Sequence, residues 1–194
     1  MDKLSYSLGV IVAQNLKNQG ITRIHTPDLA NGISAVILGN QPEISLEDAN
    51  KTVQEYLREK AMEKYGDIIN EGRAFLTQNA KREGVVALEN GLQYEILKEG
   101  DGPKPQATDT VTTHYHGTLV NGTVFDSSVN RNQPASFPVN RVIPGWTQAL
   151  QMMPVGSKWK LFLPPHLAYG EQGAGDAIKP FSTLIFEVEL LEVN

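Results

Sequence analysis

The apolar residues of this chain change their spacing near residue 85, and that change limits what the chain can fold into. Before residue 85 they recur at steps of three and four, which is the period of one face of an α-helix. After residue 85 they alternate along short runs separated by glycine and proline, which is typical of strands and turns. The sequence therefore predicts two domains, a helical one over residues 1–85 and a strand-rich one over residues 86–194.

Two short helices are predicted at the start of the helical domain. The first has an apolar stripe over residues 4–16 and is stopped by Gly20. The second begins at Thr26-Pro27-Asp28, with the threonine as cap and the proline in the first helical position, where its missing N–H costs nothing. Gly39 ends this second helix.

A third helix is predicted to be much longer. It begins after Ser45, which forms a weak capping box with Asp48, and its apolar stripe continues to Gly84. Such a helix has about 40 residues and is roughly 57 Å long at about 1.5 Å per residue. Because two short helices cannot cover a stripe of that length, self-association is expected. The alternative is that Gly66 and Gly72 break the segment into two helices that fold back on themselves.

The C-terminal domain is predicted to be an antiparallel sheet around one short helix, which makes the fold class α+β. The sequence Asn121-Gly122 between two of its strands is a strong hairpin signal. The helix should begin at Pro144 and stop before Pro154. The strands are predicted over residues 92–97, 111–119, 124–126, 158–163 and 184–193.

The composition excludes several kinds of chemistry. The chain has no cysteine, so disulfides, cysteine-ligated zinc, iron–sulfur clusters and thiol catalysis are excluded. A net charge of −5 gives no reason to approach nucleic acid or an anionic membrane. The first residues lack the pattern of a secretion signal, and no apolar run approaches the ~18 residues of a membrane span. A cytoplasmic location is expected, or a periplasmic one if a signal peptide preceded residue 1.

Motifs for metal, phosphate and nucleophilic chemistry are weak. His114 and His116 share one face of a predicted strand, but the spacing supplies no third metal ligand. No G-x-S-x-G elbow is present for a hydrolase serine. Gly173 and Gly175 are not framed by a strand and a helix, and no Lys-Ser or Lys-Thr follows them, so phosphate binding is not expected. We expect neither a metal nor a cofactor.

A set of aromatic and aliphatic residues in the C-terminal domain remains as a candidate site. Any small β domain needs an apolar core, so a purely structural role is the alternative. Two features favour a site: Trp146 follows Ile143 closely at a helix start, and Tyr169 lies in a glycine-rich loop. The set comprises Tyr115, Phe125, Phe137, Val142, Ile143, Trp146, Tyr169, Ile178 and Phe186.

Five segments that contain these residues form a further pattern. They read HYHGTL at 114–119, VFDSS at 124–128, VIPGW at 142–146, LAYG at 167–170 and TLIFEVELL at 183–191. In this order and spacing they resemble the FK506-binding protein (FKBP) family over residues 88–194. The resemblance implies a peptidyl-prolyl cis/trans isomerase that acts on proline-containing unfolded or partly folded polypeptides and binds macrolide inhibitors.

The helical half carries softer motifs, LSYSLG at 4–9, GRAFL at 72–76 and NAK at 79–81. They resemble the dimerisation domain of the bacterial FKBP group that includes the macrophage infectivity potentiator proteins. The resemblance implies a V-shaped homodimer that associates through residues 1–85 and holds two catalytic domains apart on long helices.

The same resemblance implies a role for each site residue. Trp146 would be the floor of a proline pocket, and Tyr169 would hydrogen-bond a substrate carbonyl or a ligand. Asp126 would lie at the rim, and the Ile143 backbone N–H would be a donor. The walls would be Tyr115, Phe137, Val142, Ile143 and Phe186; the full assignment is catalytic Tyr115, Asp126 and Tyr169, with substrate-binding Phe125, Phe137, Val142, Ile143, Trp146, Ile178 and Phe186.

The loop after Tyr169 departs from the family pattern. Ala177 and Ile178 stand where many relatives have two aliphatic residues, and Lys179 stands where proline is common. This loop contacts the residues that flank the substrate proline in the family. The resemblance therefore leaves the residue preferred before proline, and the affinity for macrolides, open.

The chemistry of proline isomerisation fits a site without a nucleophile. No bond is made or broken, so we interpret Asp126 as a polar orienter of the pocket and not as a general base. Two pockets on one dimer could hold one unfolded chain at two places, which predicts chaperone-like activity. The alternative is a non-enzymatic binding or scaffold protein, which would require losses at central positions such as Trp146, and these positions are intact.

Overall fold

The structure is a computed structural model that describes every residue from Met1 to Asn194. The helices are α1 (Lys3–Asn18), α2 (Thr26–Ile37), α3 (Leu46–Asn79) and α4 (Pro144–Met152). The strands are β1 (Val85–Ala87), β2 (Gln93–Lys98), β3 (Thr110–Leu119), β4 (Val124–Ser127), β5 (Ala135–Pro138), β6 (Lys158–Leu163) and β7 (Leu184–Val193). The chain forms two compact units, Met1–Lys64 and Tyr65–Asn194. None of the helices is long and apolar enough to cross a membrane.

The first two helices follow the sequence prediction with one correction. At the start of α1 the Asp2 carboxylate accepts a hydrogen bond of 2.7 Å from the Ser5 N–H. In α2, Thr26 is the first helical residue and His25 occupies the cap position, so the prediction of Thr26 as cap was wrong by one residue. Pro27 tolerates the shift because none of the first four helical N–H groups has a partner within a helix.

Helix α3 is continuous over 34 residues, about 51 Å. Half of the predicted capping box is confirmed, since the Asp48 N–H donates to Ser45 Oγ at 3.0 Å. The Asp48 carboxylate accepts from the serine hydroxyl at 2.7 Å and not from the Ser45 backbone N–H. The alternative of a break at Gly66 and Gly72 is not observed.

The predicted helix end at Gly84 was wrong, because α3 ends at Asn79. The Asn79 side chain is buried and donates to Gln93 Oε1 at 2.9 Å. Residues after Asn79 must leave the helix early because Val85–Ala87 pairs with β2. This tertiary pairing outweighs the apolar pattern that continues to Gly84.

The sheet confirms the predicted α+β fold class. Its strand order is β1-β2-β6-β7-β3-β4, every neighbouring pair is antiparallel, and β5 pairs with β3. Five predicted strands and the short helix occur within one residue of their expected bounds. Strands β1 and β5 were not predicted, because runs of three and four residues are too short to show an alternation.

The two faces of the sheet pack against different helices. Helix α4 buries Trp146, Ala149 and Leu150 in the main core on one face. Phe162 of β6 is also buried but lies outside this core, as expected for a side chain that alternates to the opposite face. There its ring contacts Phe75 of α3, with ring centroids 5.9 Å apart. The last turns of α3 are therefore part of the second unit.

Close approach and a buried polar network join α3 to the sheet. Gly72 leaves no room for a Cβ beside the Thr183 side chain, which explains a glycine within this helix. Gln93 of β2 accepts from Asn79 and donates its own amide to the Leu76 carbonyl at 2.9 Å. Because both amides are buried, these bonds fix the end of α3 against β2.

Candidate active site

Four aromatic rings surround or adjoin Trp146 on the α4 side of the sheet. The indole ring centroid is 5.4 Å from that of Tyr115, 5.9 Å from that of Phe137 and 5.2 Å from that of Phe186, with all three pairs close to perpendicular. Phe125 contacts Phe186 at 5.4 Å in the same edge-to-face manner. Edge-to-face contacts are a favourable arrangement for aromatic rings, so the cluster is a defined apolar surface and not a loose aggregate.

Strand β3 positions one side of this aromatic cluster. Alternate residues of β3 are buried, and Tyr115 and Gly117 are on the inner face. A Cβ on Gly117 would lie 2.6 Å from Phe125 Cζ and 3.0 Å from Phe186 Cε1. Gly117 is therefore required so that the two phenylalanine rings can meet over the strand.

The start of α4 positions Trp146 and a free backbone donor. Pro144 opens the helix, and the Trp146 N–H donates to the Ile143 carbonyl at 2.9 Å. Gly145 has no room for a Cβ beside Leu163, so the helix start lies directly against β6. The backbone N–H of Ile143 donates to no other group of the chain, and it remains available to a ligand.

The structure brings nearly all of the predicted site residues together. Asp126 and Tyr169 lie outside the apolar core: Asp126 is at its polar edge, and Tyr169 is 40% exposed. Residues of the core or packed against it are Tyr115, Phe125, Phe137, Val142, Ile143, Trp146, Ile178 and Phe186.

A polar network at the edge of the cluster contains one residue that sequence reasoning missed. The Tyr115 hydroxyl donates to Asp126 Oδ2 at 2.5 Å. Arg131 pairs with the other oxygen of Asp126 and donates to the Tyr115 hydroxyl at 3.0 Å. No sequence signal marks Arg131, because it lies in an irregular turn after β4 whose geometry brings it back to β3.

This network keeps Asp126 ionised. Burial of the carboxyl would raise its pKa, but hydrogen bonds from Tyr115 and Arg131, together with the charge of Arg131, outweigh burial and hold the pKa below its ordinary value of 3.8. Burial raises the pKa of Tyr115, and its bond to Asp126 adds to the effect. Burial and then the charge of Asp126 raise the pKa of Tyr169, so both phenols stay protonated donors at neutral pH.

The two strand histidines have structural partners. His114 Nδ1 lies 3.0 Å from Ser128 Oγ, and His116 Nδ1 lies 2.9 Å from Ser127 Oγ. Both side chains are on the face of β3 opposite Tyr115. No group of three histidine or carboxylate side chains is placed to hold a metal ion.

A separate cavity lies elsewhere in the second unit. It is a groove of about 560 Å³ between the end of α3 and the segments around Pro165, Gly170 and Phe181. Trp146 and the rings around it do not line this groove.

These features define a class of site. Its surface is apolar, its polar groups are confined to one edge, and it has neither a base–nucleophile pair nor a metal centre. Such a site can act by shape, desolvation and hydrogen bonding, without covalent catalysis.

Comparison with known proteins identifies the family. Residues 102–191 match the family model of the FKBP-type peptidyl-prolyl cis-trans isomerases, and residues 1–96 match that of the domain amino terminal to them. The chain is 47% identical to the FKBP-type 22 kDa peptidyl-prolyl cis-trans isomerase of Escherichia coli, over 97% of this chain and 93% of that protein. It is 45% identical to the outer membrane protein MIP of Legionella longbeachae, over 100% and 85% of the two chains.

A solved structure agrees with these matches. The crystal structure of FkpA from Escherichia coli is similar with a TM-score of 0.66 and 34% identity, covering 98% of this chain and 93% of that one. The chain belongs to the FKBP-type peptidyl-prolyl cis-trans isomerases, with both the amino-terminal and the catalytic domain of that family. It is an isomerase, and enzymes of this type act on proline-containing peptides.

The lowered pKa of Asp126 predicts that isomerisation activity does not depend on pH between neutral and mildly acidic conditions. The pKa of Asp126 in the folded protein is lower than its ordinary value of 3.8. The carboxylate and the hydrogen bonds that it accepts are therefore fully present above pH 3.8, and they are lost only as the pH falls through the lower, folded-state pKa. Peptide isomerisation should therefore stay level between pH 7 and about 5, where a free Asp is ionised. Asp126→Asn should lower kcat/KM by less than about tenfold, whereas loss of a general base typically costs about 10²–10⁴-fold.

The measurement is kcat/KM across this pH range, with near-UV circular dichroism to verify that the fold persists. Arg131→Gln serves as a matched variant, because it removes the charge beside Asp126 and should raise the pH at which activity declines. A loss of about 10²-fold or more in folded Asp126→Asn would contradict the assignment of Asp126 as an orienter.

Proposed function

We propose that the aromatic cluster around Trp146 is the proline pocket of this isomerase. The observation that carries the proposal is the enclosure of a buried indole by Tyr115, Phe137 and Phe186, with hydrogen-bonding groups only at the edge. Trp146 forms the floor and the other rings, with Val142 and Ile143, form the walls. The test is to measure the rate of peptide isomerisation after substitution of Trp146. The rate should fall in protein that remains folded.

The pocket suits the energetics of the reaction. Rotation about the peptide bond has a barrier of about 18–20 kcal/mol, because resonance gives the C–N bond double-bond character. The twisted amide loses resonance and charge separation, so an apolar surface stabilises it relative to the planar amide in water. A thousandfold acceleration needs only about 4 kcal/mol of such differential binding.

Polar groups at the edge hold the peptide in place. The Ile143 N–H has no partner in the chain and can donate to a substrate carbonyl. The Tyr169 hydroxyl is a second donor, and its raised pKa keeps its proton in place. Asp126 orients Tyr115 through their hydrogen bond. Macrolide inhibitors of the family, which must present an apolar ring and carbonyl acceptors, are proposed to occupy the same pocket.

We also propose that the helical unit Met1–Lys64 associates with a second copy of the chain. No residue of α1 or α2 is buried, and large apolar side chains are open to solvent on both. Leu4 is 69% exposed and Ile37 is 77% exposed. A soluble protein rarely leaves so much apolar surface uncovered, and a homodimer through this surface would cover it.

A dimer would also bind unfolded chains in a chaperone-like manner. Two pockets joined in one particle raise the effective concentration for the second contact of a long client, and they give no advantage for a short peptide.

The cytoplasmic location expected from the sequence stays a prediction, and one of the relatives is named an outer membrane protein.

The test compares the full chain with a variant that begins at Tyr65. Both should isomerise short peptides at rates within about twofold, because the whole pocket lies in the second unit. On a folding protein limited by proline isomerisation, the shortened variant should be slower by about tenfold or more, since avidity is lost.

Sedimentation should show two chains per particle for the full protein and one for the variant. Ile11→Glu on α1 should give the same result in the intact chain, with Val124→Glu on β4, also exposed, as its matched control. Equal performance of both proteins on both substrates would contradict the chaperone proposal.

A further inference from the structure

Phe181 is the only aromatic residue of the chain with a left-handed backbone. Its φ is 62°, and the only other non-glycine residue with positive φ is Asn132, a residue type that tolerates this conformation. A bulky residue in this region is strained, and it stays there only when surrounding contacts hold it. The contacts of Phe181 therefore show what the strain maintains.

One contact ties Phe181 to the long helix. Its ring lies 5.7 Å from the ring of Tyr65 on α3, in a tilted arrangement with an interplanar angle of 46°. Such tilted contacts are favourable for aromatic pairs. The Phe181 ring also lines the groove beside α3, together with Ile69 of the same helix. Helix α3 thus supplies a surface that holds the ring.

A second contact closes a loop. The Phe181 N–H donates to the Gly170 carbonyl at 2.9 Å, which joins the two ends of residues 170–181, here called the site loop. Within it, Ala174 and Ile178 exchange two backbone hydrogen bonds of 2.8 and 3.1 Å. Gly173 has no room for a Cβ beside the Ile178 carbonyl. The site loop is therefore a tight, hydrogen-bonded unit whose base is at Phe181.

The site loop also reaches the proline pocket. Ile178 is buried in the same apolar core as Trp146. Tyr169 immediately precedes Gly170, and burial and then the charge of Asp126 raise the pKa of its phenol. A displacement at the base of the loop would move both Ile178 and Tyr169 relative to the indole.

We propose that Phe181 is a positioning residue through which helix α3 sets the loop wall of the proline pocket. The contact between Tyr65 and Phe181 holds the base of the site loop, and the loop holds Ile178 where it meets the residue that flanks proline. The long helix thereby contributes to substrate selectivity as well as to association. This inference rests on the assignment of the pocket under Proposed function.

The experiment uses the full-length protein and two peptides, Leu-Pro-Phe and Ala-Pro-Phe within a common sequence. Phe181→Gly removes the ring but suits the left-handed backbone, so the variant should remain folded. Tyr65→Leu removes the other ring. Each variant should lower kcat/KM for the leucine peptide by about threefold or more and change that for the alanine peptide by less than about twofold, since the wall is needed mainly by the larger side chain.

The double variant tests whether the two residues act together. Because they act through one contact, the double variant should lose no more than either single variant. Tyr65→Phe keeps the ring and should keep the wild-type ratio of the two peptides. Phe75→Leu is the matched control: it alters a contact of α3 with Phe162, away from the site loop, and should change stability without changing the ratio of the two peptides.

Two outcomes would overturn the inference. One is an unchanged peptide ratio in folded Phe181→Gly and Tyr65→Leu, and the other is an additive loss in the double variant. Trp146→Phe is measured alongside. If Trp146→Phe retains full activity, the assignment of the pocket fails. If Trp146→Phe loses activity but Phe181→Gly leaves the peptide ratio unchanged, only the role of the long helix is refuted.

Discussion

Trp146→Phe should lower kcat/KM for short X-Pro-Phe peptides by about tenfold or more, which corresponds to about 1.4 kcal/mol of transition-state binding. The indole is 4% exposed and contacts three other aromatic rings. A phenyl ring covers less of the proline and leaves part of the floor open, so the twisted amide is less well shielded from water. The measurement is the isomerisation rate at substrate concentrations well below KM.

Trp159→Phe is the matched control for this substitution. Trp159 is also 4% exposed, lies in the same apolar core and, like Trp146, has an indole N–H without a partner. Its ring stacks on Tyr94 at 4.5 Å and is not in contact with the rings around Trp146. It should lose comparable stability with kcat/KM within about twofold of wild type. Equal losses of activity in the two variants would refute the assignment of the pocket.

A variant that begins at residue 86 should be much less stable than one that begins at residue 65. The shorter variant lacks the last turns of α3, so Phe162 becomes exposed. Loss of its burial lowers the free energy of unfolding by about 1.5–3 kcal/mol. It also loses the bonds of Asn79 and Leu76 to Gln93 and the first residue of β1. A melting temperature lower by about 10 °C or more is expected, since each kcal/mol shifts the melting temperature of a domain slightly above 100 residues by roughly 4 °C.

Differential scanning calorimetry of both variants provides the measurement. Phe75→Ala in the full chain is the matched substitution, because it removes only the ring that covers Phe162. Its effect should be a fraction of that of the deletion. Equal melting temperatures for the two deletion variants would mean that the end of α3 does not stabilise the sheet.

Much of the fold could be predicted because local signals and tertiary packing agree. Ser45 with Asp48 begins α3, Asn121-Gly122 turns between β3 and β4, and proline begins α4. The end of α3 could not be predicted, since it depends on the pairing of Val85–Ala87 with β2 and not on the residues of the helix. The division of the chain at residue 85 stays a prediction; by contacts, residues 65–79 group with the sheet.

The apolar part of the site was accessible from the sequence, and its polar edge only in part. Trp146 and Phe186 lie on regular elements whose periodicity predicts which residues face inward. Arg131 and Phe181 lie in irregular segments. Their partners, Tyr115 and Tyr65, are distant in the chain, and no periodic pattern encodes such contacts.

The position of β7 has a consequence for how the enzyme is made. It lies between β6 and β3, yet it follows every other strand in the chain. Until it is synthesised, the sheet consists of two separate pieces, β1-β2-β6 and β3-β4 with β5, and Phe186 is missing from the aromatic cluster. Contacts between residues so far apart form slowly. On the ribosome, the aromatic cluster around Trp146 is thus completed only after β7, the last strand of the sheet, has been made.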